Sequence, residues 1–379
     1  MQCNTYSAMI WNACVKADQE SKKNQDRFTT QSELQFMMKK SVPIILANSI
    51  NFVIIRYITA RQSAWQSIKA KHSNSNKVKL PYKEKKFYNT GWTYQNIKIN
   101  KDEGYITLAK PLIQDDLGID RRQKPLKCFT KSLPDNIVEI ELVYRDGLKL
   151  AIKYKLENDN ILIQSNNESA IDLGEIHAIT AIDNQGNAII ITGRKLREIK
   201  QLRNKQFANI HRKQSKCVRG SNQYKKYAKA LYRLKRETDK KILDSVHKIT
   251  KLYVDYCVIN NISKVYYGDL DNCTRNTKQD GRGNKTVRQK LSQWCYGLLM
   301  LELENKLTRY GIKLEKVKEY YTSKKCPVCK SLNKPTGRNY ICGCGYKMHR
   351  DVNGAINILN DNSQYNISSY TNLKYLRIA

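Results

Sequence analysis

The chain has 379 residues, an apolar content of 40% and a formal net charge of +34. That length allows two or three domains, and that apolar share allows a real core, which excludes a wholly disordered polymer. The basic residues run through the whole chain instead of gathering on one amphipathic helix, which points to a long polyanion, a nucleic acid, and away from a membrane-surface protein.

No stretch reads as a secretory leader. The most apolar one, 42–60, carries Asn48, Asn51 and Arg56, which are costly in a bilayer, so it reads as a buried helix. No membrane partner is expected, and the expected location is the cytoplasm (bacterial cytosol or nucleoid). Seven of the eleven cysteines (Cys3, Cys14, Cys128, Cys217, Cys257, Cys273 and Cys295) are scattered without regular spacing and read as reduced thiols.

Residues 1–78 read as a helical domain in which Ser32-Glu-Leu-Gln opens a helix, closed by a Ser/Asn/Lys-rich linker. Residues 79–168 change character: TYQNIKI, YITLA, IVEIELVYR and LKLAIKYKL alternate as half-buried strands do, and Asp146-Gly147 marks a hairpin. A small β-barrel is expected there. Residues 169–360 begin with two strands joined at Asn184-Gln-Gly-Asn, followed by a long charged helical pair over 195–261. Then come a strand (KVYYGDL), a basic loop, a helix, a strand, a cysteine ribbon over 322–348 and a last helix from about 351. This order suits a mixed sheet flanked by helices. Residues 361–379 read as a frayed tail.

Cys326-Pro-Val-Cys329 and Cys342-Gly-Cys344 offer four thiolates in two close pairs, the donor set of a structural zinc ribbon. Four thiolates leave no open position for water, so such a zinc is structural. His349 is a further nitrogen donor nearby. Metal-assisted phosphodiester hydrolysis needs carboxylates that hold two Mg²⁺ ions, delivered to one place from separate segments. Asp172, inside the apolar run AIDLG, and Asp351, opening the last helix, are the candidates. For Asp351 the competing reading is an acid that merely suits a first helical turn.

IDLG, the Lys-rich helices, GDL, the SQW helix, EYYTSKKCPVC and HRDVNGAINIL, in that order, resemble the transposon-encoded TnpB family. The resemblance covers roughly residues 165–360, and residues 1–160 match only loosely. It implies a multidomain α+β protein: an N-terminal helical recognition domain, a wedge-like β-barrel, and a RuvC-like, RNase H-type α/β nuclease domain with an inserted zinc ribbon. It implies an RNA-guided, Mg²⁺-dependent DNA endonuclease, related to the type V CRISPR effectors and Fanzor proteins. The cofactors would be Zn²⁺, Mg²⁺ and a guide RNA from the element's own flanking sequence; the target would be double- and single-stranded DNA. The first acid corresponds to Asp172 and the third to Asp351.

The second acid departs from the family. Most members carry Glu where this chain has Gly268, in Tyr267-Gly268-Asp269-Leu270. Three readings follow: an inactive centre that leaves an RNA-guided repressor, substitution by Asp269, or substitution by Glu319 before the ribbon. Glu319 is favoured, because a one-residue shift turns Asp269 to the other face of its strand. Glu302 and Glu304 read as solvated helix positions. Arg282, Lys285 and Arg288 lie in the basic loop and Arg350 beside Asp351, and these four are the candidate nucleic-acid contacts. Trp294 and Tyr296 read as core residues more than as base-stacking ones. Family members open with a wedge strand before the first helix, whereas this sequence starts almost inside that helix; the two readings are an absent strand and a misplaced start codon.

Overall fold

The computed structural model describes residues 2–38, 46–70, 78–110, 112–114, 120–122, 124–130, 133–144, 147–155, 163–269, 294–318, 322–333, 335 and 337–378. It divides into two units, Met1–Glu157 and Asn158–Ala379. Glu319, Arg282, Lys285, Arg288, Cys273 and Asp146 lie outside the described residues.

The first unit opens with α1 (Gln2–Lys23), α2 (Gln31–Met38) and α3 (Ala47–Lys69). Ile10, Cys14 and Ala17 of α1 and Ile50, Val53, Ile54, Tyr57 and Ile58 of α3 recur at helical spacing and meet in one core. Under that core, the Asp18 carboxylate accepts from Arg61 Nη1 at 2.8 and 2.9 Å, Tyr57 Oη at 2.7 Å and Thr29 Oγ1 at 3.2 Å. A buried ion pair is tolerated only when its lone pairs are filled in this way. The start of α2 corrects the sequence reading. Thr30, not Ser32, caps it: Thr30 N–H donates to Glu33 Oε2 at 2.8 Å and Glu33 N–H to Thr30 Oγ1 at 3.3 Å. Both hydroxyls stand three residues before a Glu or Gln, but the helix already opens at Gln31, which leaves Thr30 at the cap and Ser32 inside the first turn.

Eight strands follow: β1 (Thr90–Thr93), β2 (Ile97–Asn100), β3 (Tyr105–Leu108), β4 (Leu112–Gln114), β5 (Asp120–Arg122), β6 (Leu126–Phe129), β7 (Ile137–Tyr144) and β8 (Leu148–Tyr154). Among the described residues they pair as three sheets, β1-β7-β8, β2-β3-β6 and β4-β5, and strands of the first two share one apolar core. Alternation along β7 specifies one buried face; it does not specify closure, which depends on strand tilt and stagger.

The second unit is built on a six-stranded sheet. Its strands are β9 (Asn167–Asp172), β10 (His177–Asp183), β11 (Asn187–Thr192), β12 (Ile262–Gly268), β13 (Lys313–Val317) and β16 (Asn372–Leu376), in the order β13-β12-β9-β10-β11-β16. Only β10 runs against its neighbours. Helices α4 (Arg194–Gln214), α5 (Asn222–Ile259) and α6 (Tyr296–Leu307) precede a short hairpin of β14 (Asn339–Ile341) and β15 (Lys347–His349), then α7 (Arg350–Asn362).

The strands are apolar on both faces because both faces are covered. Ile171, Ile179, Ala181 and Val265 pack on Ile242, Val246, Ile249 and Tyr253 of α5, and on Leu299 and Leu303 of α6. Ala170, Ile182, Ile190, Tyr266 and Val317 pack on Val352, Ala355, Ile356 and Leu359 of α7. Trp294 and Tyr296 pack against the α5-side core, as read from the sequence.

Two boundaries are corrected here. Strand β9 begins at Asn167, inside the span assigned to the barrel. The frayed tail is not frayed: β16 pairs in parallel with β11, and Thr371 N–H donates to Gly186 C=O at 2.8 Å. The outer edge of β11 presents unpaired backbone groups, and a short strand arriving from α7 satisfies them.

Candidate active site

The C-terminal end of β9, the start of β10, the N-terminus of α7 and the ribbon enclose an open cleft of about 590 Å³. Asp172, Glu175, His177, Thr180, Lys324, Arg338, Arg350 and Asp351 are among its lining residues. The structure therefore brings Asp172 and Asp351, 179 positions apart in sequence (351 minus 172), to one place. Alternation explains Asp172: it shares parity with Ala170, which packs on α7, so it leaves the strand on that side. Helix α7 presses so close that a Cβ at Gly354 would stand 2.7 Å from Asp172 Oδ2.

Asp351 is held by four neighbours. His177 Nδ1 lies 2.7 Å from its Oδ2, Arg338 Nη1 3.5 Å from the same oxygen, and Arg350 Nε 3.3 Å from Oδ1. Its backbone N–H donates to His349 Nδ1 at 3.3 Å. Burial alone would raise its carboxyl, yet the hydrogen bond from His177 and the charges of His349 and Arg350 hold it below the ordinary carboxylate range. Burial, reinforced by the neighbouring cations, pushes His349 down. His349, read as a spare zinc donor, instead groups with His177 and Asp351. Arg350 lines the cleft while tied to the Asp351 carboxylate.

A divalent cation fits this cleft by its donor set: two carboxylates, and the Thr180 hydroxyl, which is fully buried and has no hydrogen-bond partner among the described residues. Thr180 pairs with Asp172 across β9 and β10. A buried hydroxyl in that state suits an ordered water or ligand oxygen.

Of the two candidate second acids, Asp269 lies among the described residues and Glu319 does not. In parallel register Gly268 pairs with Val317, whose side chain packs on the α7 face. Asp269 therefore projects to the opposite face, and its carboxylate is bound to Lys316 Nζ at 2.9 Å. Glu302 is likewise engaged, with His247 Nδ1 3.2 Å away.

The four cysteines converge as their spacing predicts. Cys326 and Cys344 Sγ are 3.8 Å apart, Cys329 and Cys342 Sγ 3.4 Å, and all four lie within 4.8 Å of one another. Tetrahedral thiolates about 2.3 Å from a zinc stand roughly 3.8 Å apart, so the cage fits that ion. The Cys344 backbone N–H and then the Ser331 hydroxyl pull the Cys342 thiol down to about 6, toward the thiolate that a metal binds. The ribbon is bolted to α7: Asn357 Nδ2 donates to Thr322 and Lys325 C=O at 2.7 and 2.8 Å, and Arg350 N–H to Arg338 C=O at 2.7 Å. The remaining described cysteines form no disulfide.

Sequence reasoning missed His177, Thr180, Arg338 and Tyr375. The one available signal was His177 itself, an imidazole set in an apolar run five residues after Asp172.

A family described as "Probable transposase" matches residues 151–274, and "Cas12f1-like, TNB domain" matches 296–358. A TnpB-like protein of Methanocaldococcus jannaschii is 27% identical over 192 residues, covering 50% of this chain and 66% of the relative. These matches support placing the chain with the TnpB family. It is also similar to a CRISPR-associated endodeoxyribonuclease Cas12f1 of an uncultured archaeon, 31% identical over 116 residues, 28% of this chain and 21% of that protein. Each match spans less than two thirds of the relative's own length. The cryo-EM structure of a Cas12f1–sgRNA–target DNA complex shares the fold at TM-score 0.67 and 13% identity, covering 94% of this chain and 81% of that one. The TnpB-side match at 151–274 contains Asp172 and Asp269; the Cas12f1-like match contains Asp351 and all four cysteines. Among the described residues, no helix is long and apolar enough to cross a membrane.

Proposed function

We propose that this chain is an RNA-guided DNA endonuclease that hydrolyses phosphodiester bonds at a Mg²⁺-dependent, RuvC-like centre. The carrying observation is that Asp172 and Asp351, from two distant segments, line one open cleft together with the Thr180 hydroxyl, which has no hydrogen-bond partner among the described residues. Asp172 and Asp351 would hold the cations, with Glu319, two residues beyond Val317, as the second acid. Bound Mg²⁺ supplies Lewis acidity to the scissile phosphate. Arg338 and Arg350 line the same cleft and would hold the phosphate's charge. Zn²⁺ on Cys326, Cys329, Cys342 and Cys344 would keep the ribbon, and with it Arg338, in place.

The sgRNA and target DNA bound to the structural neighbour support a guide RNA and a DNA target here. The helices over 1–78 and the strands over 79–168 would serve as recognition and wedge elements, and Arg282, Lys285 and Arg288 as backbone contacts. Gly268 favours one second reading, a repressor that binds its guided target without cutting. The deciding experiment is cleavage of a double-stranded target in Mg²⁺ by protein made with its native flanking RNA, with Glu319→Ala alongside. Cutting that vanishes in the variant supports the proposal. Cutting that survives removes Glu319 from the centre, and guided binding without cutting by the wild type establishes the repressor.

A further inference from the structure

His177 shows why Asp351 sits where it does. Its side chain is 5% exposed and its Nδ1 lies 2.7 Å from Asp351 Oδ2. An ionised carboxylate only accepts, so Nδ1 carries the proton and donates. Burying an imidazole this deeply is costly unless its second nitrogen also has a partner. That partner is the Tyr375 hydroxyl, 3.5 Å from Nε2, with the tyrosine ring edge-on at 5.8 Å and 89°. One neutral tautomer serves both contacts.

The backbone is shaped for this contact. Ile179 and Ala181 face the α5 side of the sheet, and strict alternation would place His177 with them. The register of β10 against β11 breaks between His177 and Ile179, where two residues oppose one. The bulge turns His177 toward α7 and sends Ala178 into the α5-side core. Bulges commonly re-aim a side chain beside a site in this way.

We infer that His177 is a positioning residue: it fixes the Asp351 carboxylate for a divalent cation, and Tyr375 on the C-terminal strand fixes the His177 tautomer. The inference rests on the metal-binding reading of Asp351. It makes β16, at the far edge of the sheet, part of the centre.

The test is Mn²⁺ binding to the full chain, zinc-loaded and RNA-free, followed by the EPR signal of free Mn²⁺. Asp351→Ala defines the site by losing it. His177→Ala weakens that site by about 10–100-fold, the usual cost of losing an outer-shell partner. His177→Asn, whose amide donates from near the Nδ1 position, recovers to within roughly 5-fold; His177→Gln, whose amide sits at the Nε2 position, does not. Equal affinities in wild type, His177→Ala and His177→Gln, with the site still lost in Asp351→Ala, overturn the inference and leave the metal reading standing. Binding unchanged in Asp351→Ala removes both. Should His177→Ala unfold, the contrast between Asn and Gln decides, and equal affinities in those two variants overturn the inference.

Discussion

Replacing Gly354 with alanine puts a methyl carbon where α7 meets Asp172. That carbon would stand 2.7 Å from Asp172 Oδ2 and 3.3 Å from Cγ. Ordinary contact begins near 3.4 Å, so the oxygen must retreat by about 0.7 Å, more than the roughly 0.5 Å that a working constellation tolerates. The obstacle is the end of a side chain, so the carboxylate turns and the helix stays. The turn costs about 0.5–1.5 kcal/mol off rotamer, and alanine returns about 0.8–1.0 kcal/mol of helix propensity. Stability should therefore change by less than about 1 kcal/mol. Cleavage should fall roughly 10–100-fold, because a 1 Å misplacement costs about 100-fold in rate. Single-turnover cleavage of a guided target and thermal denaturation of the same preparation measure the two quantities. Undiminished cleavage refutes the role of Asp172. A loss above about 3 kcal/mol refutes the claim that its carboxylate yields before the helix does.

Three further outcomes follow from the same packing. Cys342→Ser should abolish stoichiometric zinc by elemental analysis and expose the 322–348 segment to protease, since the cluster itself holds the ribbon's turns together. Arg61→Met should cost about 3–5 kcal/mol in urea unfolding by stranding the buried Asp18 carboxylate, and Asp18→Leu added to it should recover most of that loss. In metal-free protein, the folded-state carboxyl of Asp351 is depressed, so its stabilising contribution is complete above the ordinary carboxylate value of about 3.9 and is lost as pH falls through the lowered one. Acid titrations of wild type and Asp351→Asn should differ only in that window, and identical curves would count against the His177 contact.

Much of the candidate site is written in short-range patterns. The CxxC and CxC spacings each set two sulfurs on one short turn, a local property, and the two turns then meet across 13 to 18 residues. Asp172 stood out because an acid within an apolar strand needs a use, and Asp351 because it is a lone acid seven residues after the last cysteine, in the motif HRDVNGAINIL. Two-residue alternation turns Asp269 away from the face of Gly268, and the structure sets its carboxylate beside Lys316. The strand pairing over 79–168 was not legible in the same way: alternation marks which face is buried, while the partner of each strand is a long-range choice.

The sequence by itself determined the periodicities, the four-cysteine donor set, two candidate carboxylates and the resemblance to the TnpB family, all properties of residues a few positions apart or of motif order. Only the tertiary structure decided that residues 372–376 complete the sheet, that a bulge turns His177 onto Asp351, and that Tyr375 backs it 198 positions away. Those contacts depend on which edges remain unpaired once the core has formed, and chain order does not carry that information.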